Sequence, residues 1–329
     1  MGNGFINSDF FSEGNVTATT LLGSVDTNIV AAGLTLSGTT LSADGTDANI
    51  PITLTPKGTG PVYVNGKLGI GTSTVPEGAL GYAILGLEGP NASNSGPFMQ
   101  FTTASDNYPL ISIVPYTHDN QYLLFDAYYE AAFKSSSTNC NFAIRKSATD
   151  LRIVSDDGIA AGGGITFQDN MIIDKAGYVT KPLQPAFVAQ VSNTIADITG
   201  DGTLYGVVYN TEVEDRNADY NNATGVFTAP VTGLYQFNYS LTLTQPTAHD
   251  VLQVFLVTTS SFVGLARCNP VYIDVSGVYT ITGSCMINLS ATNTAYIRLS
   301  VSGGGNVKDV DLCSTSGGEY PTFSGFLVC

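Results

Sequence analysis

The sequence has no tryptophan, two histidines and only 12% charged residues in a chain of 329. That leaves few side chains for acid–base chemistry. Cations are scarcest: 12 Lys and Arg stand against 27 Asp and Glu, a formal net charge of −15. A chain so poor in basic residues argues against nucleic acid, which is bound by a basic surface, and against anionic membrane surfaces. No apolar run approaches the ~20 residues of a membrane span, so membrane insertion is not expected. The opening residues, from Met1 to Ile6, lack the basic and apolar stretches of a secretory leader, and Ile6 stands where a myristoylation signal wants Ser or Thr. The sequons at Asn15, Asn91, Asn222, Asn238 and Asn288 then read as products of the Ser/Thr content. Five cysteines (Cys140, Cys268, Cys285, Cys313, Cys329) form an odd set without C-x-x-C. Free thiols in a chain folded in a reducing cytoplasm fit that set better than a disulfide framework. Cys268 and Cys285 remain open as a pair after later oxidation.

Catalytic patterns are equally thin. His118 and His249 are each followed by Asp, but a triad needs its acid to orient the imidazole from across the site. There is no G-x-S-x-G elbow, no zinc spacing and no phosphate-cradling loop. Gly162-Gly-Gly164 and Gly303-Gly-Gly305 lack a following Gly-Lys-Ser/Thr. The densest carboxylate group, Glu212 to Asp219, contains paired acids of the kind that hydrolyse glycosides. Such enzymes present their acids in a deep groove, which nothing in the residue pattern indicates, so no enzyme activity is expected and no catalytic residue is assigned.

What is present is β structure cut by glycine. Residues 1–30 are polar and Gly-rich, and serve as a candidate anchoring segment; a frayed terminus is the alternative. Residues 31–78 hold short alternating fragments such as Leu34–Leu36, Ile50–Leu54, Val62–Val64 and Leu68–Ile70. None buries enough surface alone, which predicts an intertwined trimeric β shaft rather than a disordered linker. Residues 79–180 predict a middle β-sandwich. Its strongest strands are Pro109–Pro115 and Gln121–Tyr129, followed by Asn141–Lys146, Asp150–Val154, Gly164–Phe167 and Met171–Asp174, with a hairpin turn at Asp157-Gly158. The aromatic density of Tyr122–Phe133 favours strand over helix.

Residues 181–329 are the most informative. Gly225-Val-Phe-Thr-Ala-Pro-Val-Thr-Gly-Leu-Tyr-Gln-Phe237 places Pro230 and Gly233 between two apolar runs, Gly233 permitting a tight reversal. From Tyr235, alternate positions are apolar through Phe237, Tyr239, Leu241 and Leu243, which predicts a long strand with one buried face. The chain closes on Thr322-Phe-Ser-Gly-Phe-Leu-Val328. The pattern Gly225, Phe227, Pro230, Gly233, Tyr235, Phe237, closed by Phe323, Ser324, Gly325 and Phe326, resembles the complement C1q-like globular head, a jelly roll related to the tumour-necrosis-factor fold. The resemblance covers about the last 145 residues. The chain also resembles phage and virus fibre proteins that carry such a head, with Asp174 to Phe187 as the junction. It departs from animal members, which follow a collagen stalk, because no Gly-X-Y repeat is present.

The resemblance implies an all-β homotrimer and, in a fibre, a place on the virion surface. A virion protein would hold the N-terminus, and the head would bind a host-surface glycan or protein. A decoration protein, a polysaccharide depolymerase and a bacterial surface or filament adhesin are the other readings. In such a jelly roll the chain enters at the base and the final strand returns there, which puts the long 303–320 loop at the far end with the turns 192–203 and 245–250. Those loops offer Asp197, Asp201, His249, Lys308, Asp309, Asp311, Glu319 and Tyr320 as receptor-binding candidates. Some heads of this type bind Ca²⁺ near the trimer apex, which makes Asp197, Asp201, Glu212, Asp215 and Asp219 candidate calcium ligands, although neither stretch matches an EF-hand loop. No other cofactor is expected.

Overall fold

The computed structural model describes Val64, Leu68–Ile70, Glu77–Gly78, Gly81–Tyr82 and residues 85–272, 277–313 and 320–328. The anchoring segment, nearly all of the expected shaft, and Glu319 lie outside the described residues. The first strands are short: β1 (Leu68–Ile70), β2 (Glu77–Gly78), β3 (Gly81–Tyr82) and β4 (Leu85–Leu87). β1 runs parallel to β4, and β2 antiparallel to β3.

The middle region contains β5 (Met99–Phe101), β6 (Ile111–Thr117), β7 (Asn120–Phe125), β8 (Ala127–Glu130), β9 (Ala132–Ser135), β10 (Asn141–Lys146), β11 (Asp150–Asp156), β12 (Gln168–Asp174) and β13 (Val179–Thr180). Seven of these form one antiparallel sheet in the order β13-β12-β11-β10-β7-β6-β5, and β8-β9 is a separate hairpin. The expected middle β-sandwich is therefore corrected to one large sheet faced by a hairpin. The physical cause sits at Asp126. Its φ of +50° lies in the left-handed region that short polar side chains tolerate, so the run predicted as one strand over Gln121–Tyr129 breaks there, and the chain leaves the sheet for a hairpin that reverses at Ala131. Tyr129 and Phe133 from the hairpin pack with Ile165 and Phe167 over Val114, Leu124, Ala143 and Val154 of the sheet. Residues 164–167, expected as a strand, contribute only an isolated bridge from Gly164 to Lys134. Nor is Asp157-Gly158 a tight hairpin, since β12 begins only at Gln168.

Side chains on the other face of this sheet form two apolar cross-strand rows. One runs Met99, Ile113, Leu123, Ile144, Ile153, Met171. The next runs Phe101, Ile111, Phe125, Phe142.

The head comprises β14 (Ala186–Gln190), β15 (Ile195–Thr199), β16 (Tyr205–Gly206), β17 (Thr211–Asp215), β18 (Tyr220–Asn221), β19 (Val226–Thr228), β20 (Gly233–Thr244), β21 (Val251–Thr258), β22 (Phe262–Cys268), β23 (Val278–Leu289), β24 (Thr294–Ser302), β25 (Val310–Leu312) and β26 (Thr322–Leu327). One sheet has the order β15-β25-β20-β26-β14-β17 with β23 also on β20; the other has β18-β19-β24-β21-β22 with β16 on β24. The two sheets close on one core, the jelly roll expected. β20 buries Tyr235, Phe237, Tyr239, Leu241 and Leu243 on one face, as the alternation predicts. Phe187 stacks on Phe227 at 5.1 Å and Tyr220 at 4.8 Å between ring centres, with Phe323 edge-on at 5.1 Å. Gly325 is required by this packing: a Cβ there would lie 2.6 Å from the Phe237 ring. Gly225 turns with φ +76°. Gly233 does not make the expected reversal. It is the first residue of β20, paired with Leu289, outside the left-handed set, and the chain turns at Val231–Thr232 instead, where Tyr235 Oη donates to the Val231 carbonyl.

Candidate functional site

Register defines the two ends of the head. Ala186 pairs with Phe326 and Gln190 with Thr322, so the chain enters and finishes at one end. β20 starts near that end, with Tyr235 opposite Leu327, and finishes with Thr244 opposite Asp311. The turns 192–203 and 245–250 and the segment after β24 therefore share the other end. Two of these predicted loops contain strands. β15 lies inside 192–203 and pairs with β25, which lies inside 303–320. Val310 and Leu312 are fully buried, and that alternation makes strand of part of the predicted loop; residues 303–309 before it are loop.

His249 joins these segments. It is 1% exposed. Its Nε2 lies 2.7 Å from Asp309 Oδ1 and its Nδ1 2.9 Å from the Gly303 carbonyl. One imidazole thus ties the Gln245–Asp250 turn to both ends of the 303–309 loop. Gly200 fits beneath it only because it lacks a side chain: at φ +127° a Cβ would meet the Val307 carbonyl at 2.2 Å. Asp311 accepts from the Asp197 amide at 2.9 Å and from Thr244 Oγ1 at 3.1 Å. Asp201 accepts from the Thr203 amide at 2.9 Å, and its carboxyl is held below the usual range chiefly by Thr203, with Lys308 contributing.

The residues predicted for receptor contact thus divide. Asp197, Asp201, His249, Lys308, Asp309 and Asp311 come together in one loop cluster. Within it His249, Asp309 and Asp311 act as braces, while Asp201, Val307 and Lys308 meet solvent. Tyr320 is exposed beside Pro321, whose carbonyl accepts from the Val191 amide. The candidate calcium ligands also divide. Glu212, Asp215 and Asp219 lie on and after β17, whose Asp215 pairs with Phe187 near the chain's point of entry into the head, away from Asp197 and Asp201. Asp215 is occupied by the Asp219 and Tyr220 amides at 3.1 and 3.0 Å. Burial, then the neighbouring Asp215, pushes the Asp219 carboxyl up. Among the described residues no three such side chains converge as a metal site.

Residues 186–328 match the family model of the C1q domain. The globular domain of zebrafish complement 1qA is similar at 22% identity, covering 44% of this chain and 98% of that one with a TM-score of 0.34. Murine APRIL is similar at 11% identity over 44% and 99% with a TM-score of 0.32. The Eiger TNF of S. frugiperda is similar at 12% identity over 44% and 92% with a TM-score of 0.30. No curated protein matches the chain. C1q domains are non-enzymatic binding modules that typically form homotrimers.

Sequence reasoning missed one surface of this C1q head. Arg298 on β24 lies over Phe262 at 5.7 Å and Tyr296 at 5.5 Å from the ring centres. Arg and Tyr are residue types enriched at binding hot spots. The signal was the alternation of β24, whose Tyr296 and Arg298 are only half-buried while Ala295, Ile297 and Leu299 are buried.

Proposed function

We propose that the chain is the subunit of a trimeric virion fibre, of a bacteriophage, whose C1q head attaches to a host-surface glycan or protein through the far-end loops. The observation that carries this reading is the His249 brace. It fixes three loops at the end of the head opposite the point where the chain enters, and only loops held on a rigid scaffold and facing away from the anchor meet a host first. The virion context is supported by the short alternating apolar stretches, cut by glycine, in the sequence of residues 31–78 and by the fibre-like junction before the head. The anchoring partner would be a virion protein at the N-terminus.

The test uses the full chain, fluorescently labelled, on a panel of bacterial cells, with mass measured by light scattering. Replacing Asp201 by Ala, Val307 by Ser and Lys308 by Ala together leaves the His249–Asp309 brace intact. Adsorption should fall roughly tenfold, the equivalent of about 1.4 kcal/mol, with the mass unchanged. Unchanged adsorption by a correctly assembled variant would remove these loops from the binding surface. Absence of cell binding by the native protein would favour a decoration role, and release of reducing sugar from cell envelopes a depolymerase.

A further inference from the structure

We infer that the open face of the middle sheet is a self-association surface, buried against the same face of further copies of this chain. The inference rests on the trimeric reading of the head. Antiparallel sheets with one face in water normally alternate apolar-in with polar-out. This sheet does not. Outward residues form two unbroken apolar rows across neighbouring strands, one from Met99 to Met171 and one from Phe101 to Phe142. In the single chain Phe101 is 50% exposed, Phe142 44% and Ile144 40%.

Size and chemistry select the occupant. Taking about 200 Å² for a large side chain, Phe101, Ile113, Phe125, Phe142, Ile144 and Ile153 leave on the order of 500 Å² of apolar surface open. That matches the apolar share of a standard interface of about 800 Å² per partner. Polar side chains stand only at the margin of the rows, Gln121 and Lys146 in the next row and Ser155 and Gln168 beyond Phe142, as the polar rim of an interface does; along the rows themselves nothing would orient a glycan. A flat sheet also lacks the concavity that a small apolar ligand needs. A like surface is complementary to it without any recognition group. Geometry favours the same partner. β13 ends at Thr180 and β14 begins at Ala186, and the intervening residues span at most roughly 20 Å. Heads that assemble as a trimer would hold three such sheets at millimolar effective concentration, where even a weak apolar contact forms.

Hydroxyl-radical footprinting of the full-length native protein tests this, with each residue's rate normalised to its rate in the urea-unfolded chain and the mass measured in the same sample. Tyr272 in the head, 85% exposed, is the open control. Burial between copies predicts normalised rates at Met99, Phe142 and Met171 about tenfold below that of Tyr272, in a species of trimeric mass. A double variant, Ile144→Glu with Ile153→Glu, should then raise Met99 and Met171 severalfold while the head's near-ultraviolet spectrum is kept. Open rows in a trimer would overturn the inference and leave the trimeric head standing. Protected rows in a species of one chain's mass, 34.4 kDa, would overturn both, because the cover would then come from the chain itself.

Discussion

The head and the middle region each contain a seven-stranded sheet, yet they treat their second face differently. In the head, β20 buries Tyr235, Phe237 and Leu241 and turns Gln236, Asn238 and Ser240 outward. In the middle sheet, β10 and β11 bury Ala143 and Val154 but turn Phe142, Ile144, Leu151 and Ile153 outward. Inward residues alone would describe both as half-buried sheets. The outward residues separate the strands: β20 is finished with polar groups, with Phe326 and Met286 exposed beside its Gln236, while β10 and β11 are finished with a hydrophobic surface that costs free energy in water. The two kinds of strand thus differ at every second position, not in the core.

The largest expected effect tests that difference directly. Phe237→Ala should cost about 3–5 kcal/mol in the head's unfolding transition, because the ring is 1% exposed and its neighbours cannot collapse onto the gap. Phe142→Ala should cost about 1–3 kcal/mol in the assembled protein, by a similar loss of buried apolar contact, and the loss should shrink as protein concentration falls. Urea titrations at two concentrations measure both. A concentration-independent loss below about 0.5 kcal/mol at Phe142 is the signature of an ordinary exposed residue and would put the middle sheet on the same footing as the head's polar face.

How far these features could be read from the residues follows the same division. The head was legible because its period-2 alternation is long and its motif glycines mark close approaches. The position of β20 and the burial of Phe227, Tyr235, Phe237 and Phe323 were visible in the order of residues. The middle sheet was not legible as a layer arrangement, since period-2 patterning says which residues share a face and nothing about what covers it. The break at Asp126 was hidden for a similar reason, as Asp is compatible with both strand and left-handed turn. Within the loop cluster the residues were identifiable but their jobs were not. His249 looked like a solvated loop histidine beside Asp250, whereas its carboxylate partner is Asp309, 60 positions away.

A smaller effect comes from two glycines. Gly325→Ala places a methyl 2.6 Å from Phe237 and 2.8 Å from Phe187, and such overpacking should cost about 1–3 kcal/mol. Gly164→Ala, in the loop that covers the middle sheet, meets nothing within 4 Å and should stay within about 0.5 kcal/mol of native. Equal losses in thermal unfolding of the two variants would mean that the head's aromatic core is no more tightly packed than the middle region's cover.

The smallest effects are electrostatic and carry opposite signs in the two regions. In the middle sheet Arg152, with Ser147, holds the Asp150 carboxyl well below its ordinary value of 3.8; the Arg152 Nε lies 2.8 Å from Asp150 Oδ1. In the head, burial pushes Asp219 up from the same 3.8, and its Oδ2 is buried without a hydrogen-bond partner. A carboxyl lowered by folding adds stability above its unfolded value and loses it as pH falls below about 4. A carboxyl raised by folding does the reverse: its charged form is penalised at neutral pH, and the penalty fades as pH falls through the raised value toward about 4. Asp219→Asn should therefore raise the head's unfolding midpoint at pH 7, with the gain shrinking steadily toward about pH 4. Asp150→Asn should lower the middle region's midpoint at pH 7, with the loss persisting down to about pH 4 and shrinking only below it. Thermal unfolding followed across that pH range reads both. A gain for Asp219→Asn that stays constant from neutral to acid pH would show that the carboxylate charge is not what burial penalises, and that the stabilisation comes from the new amide's own hydrogen bonds.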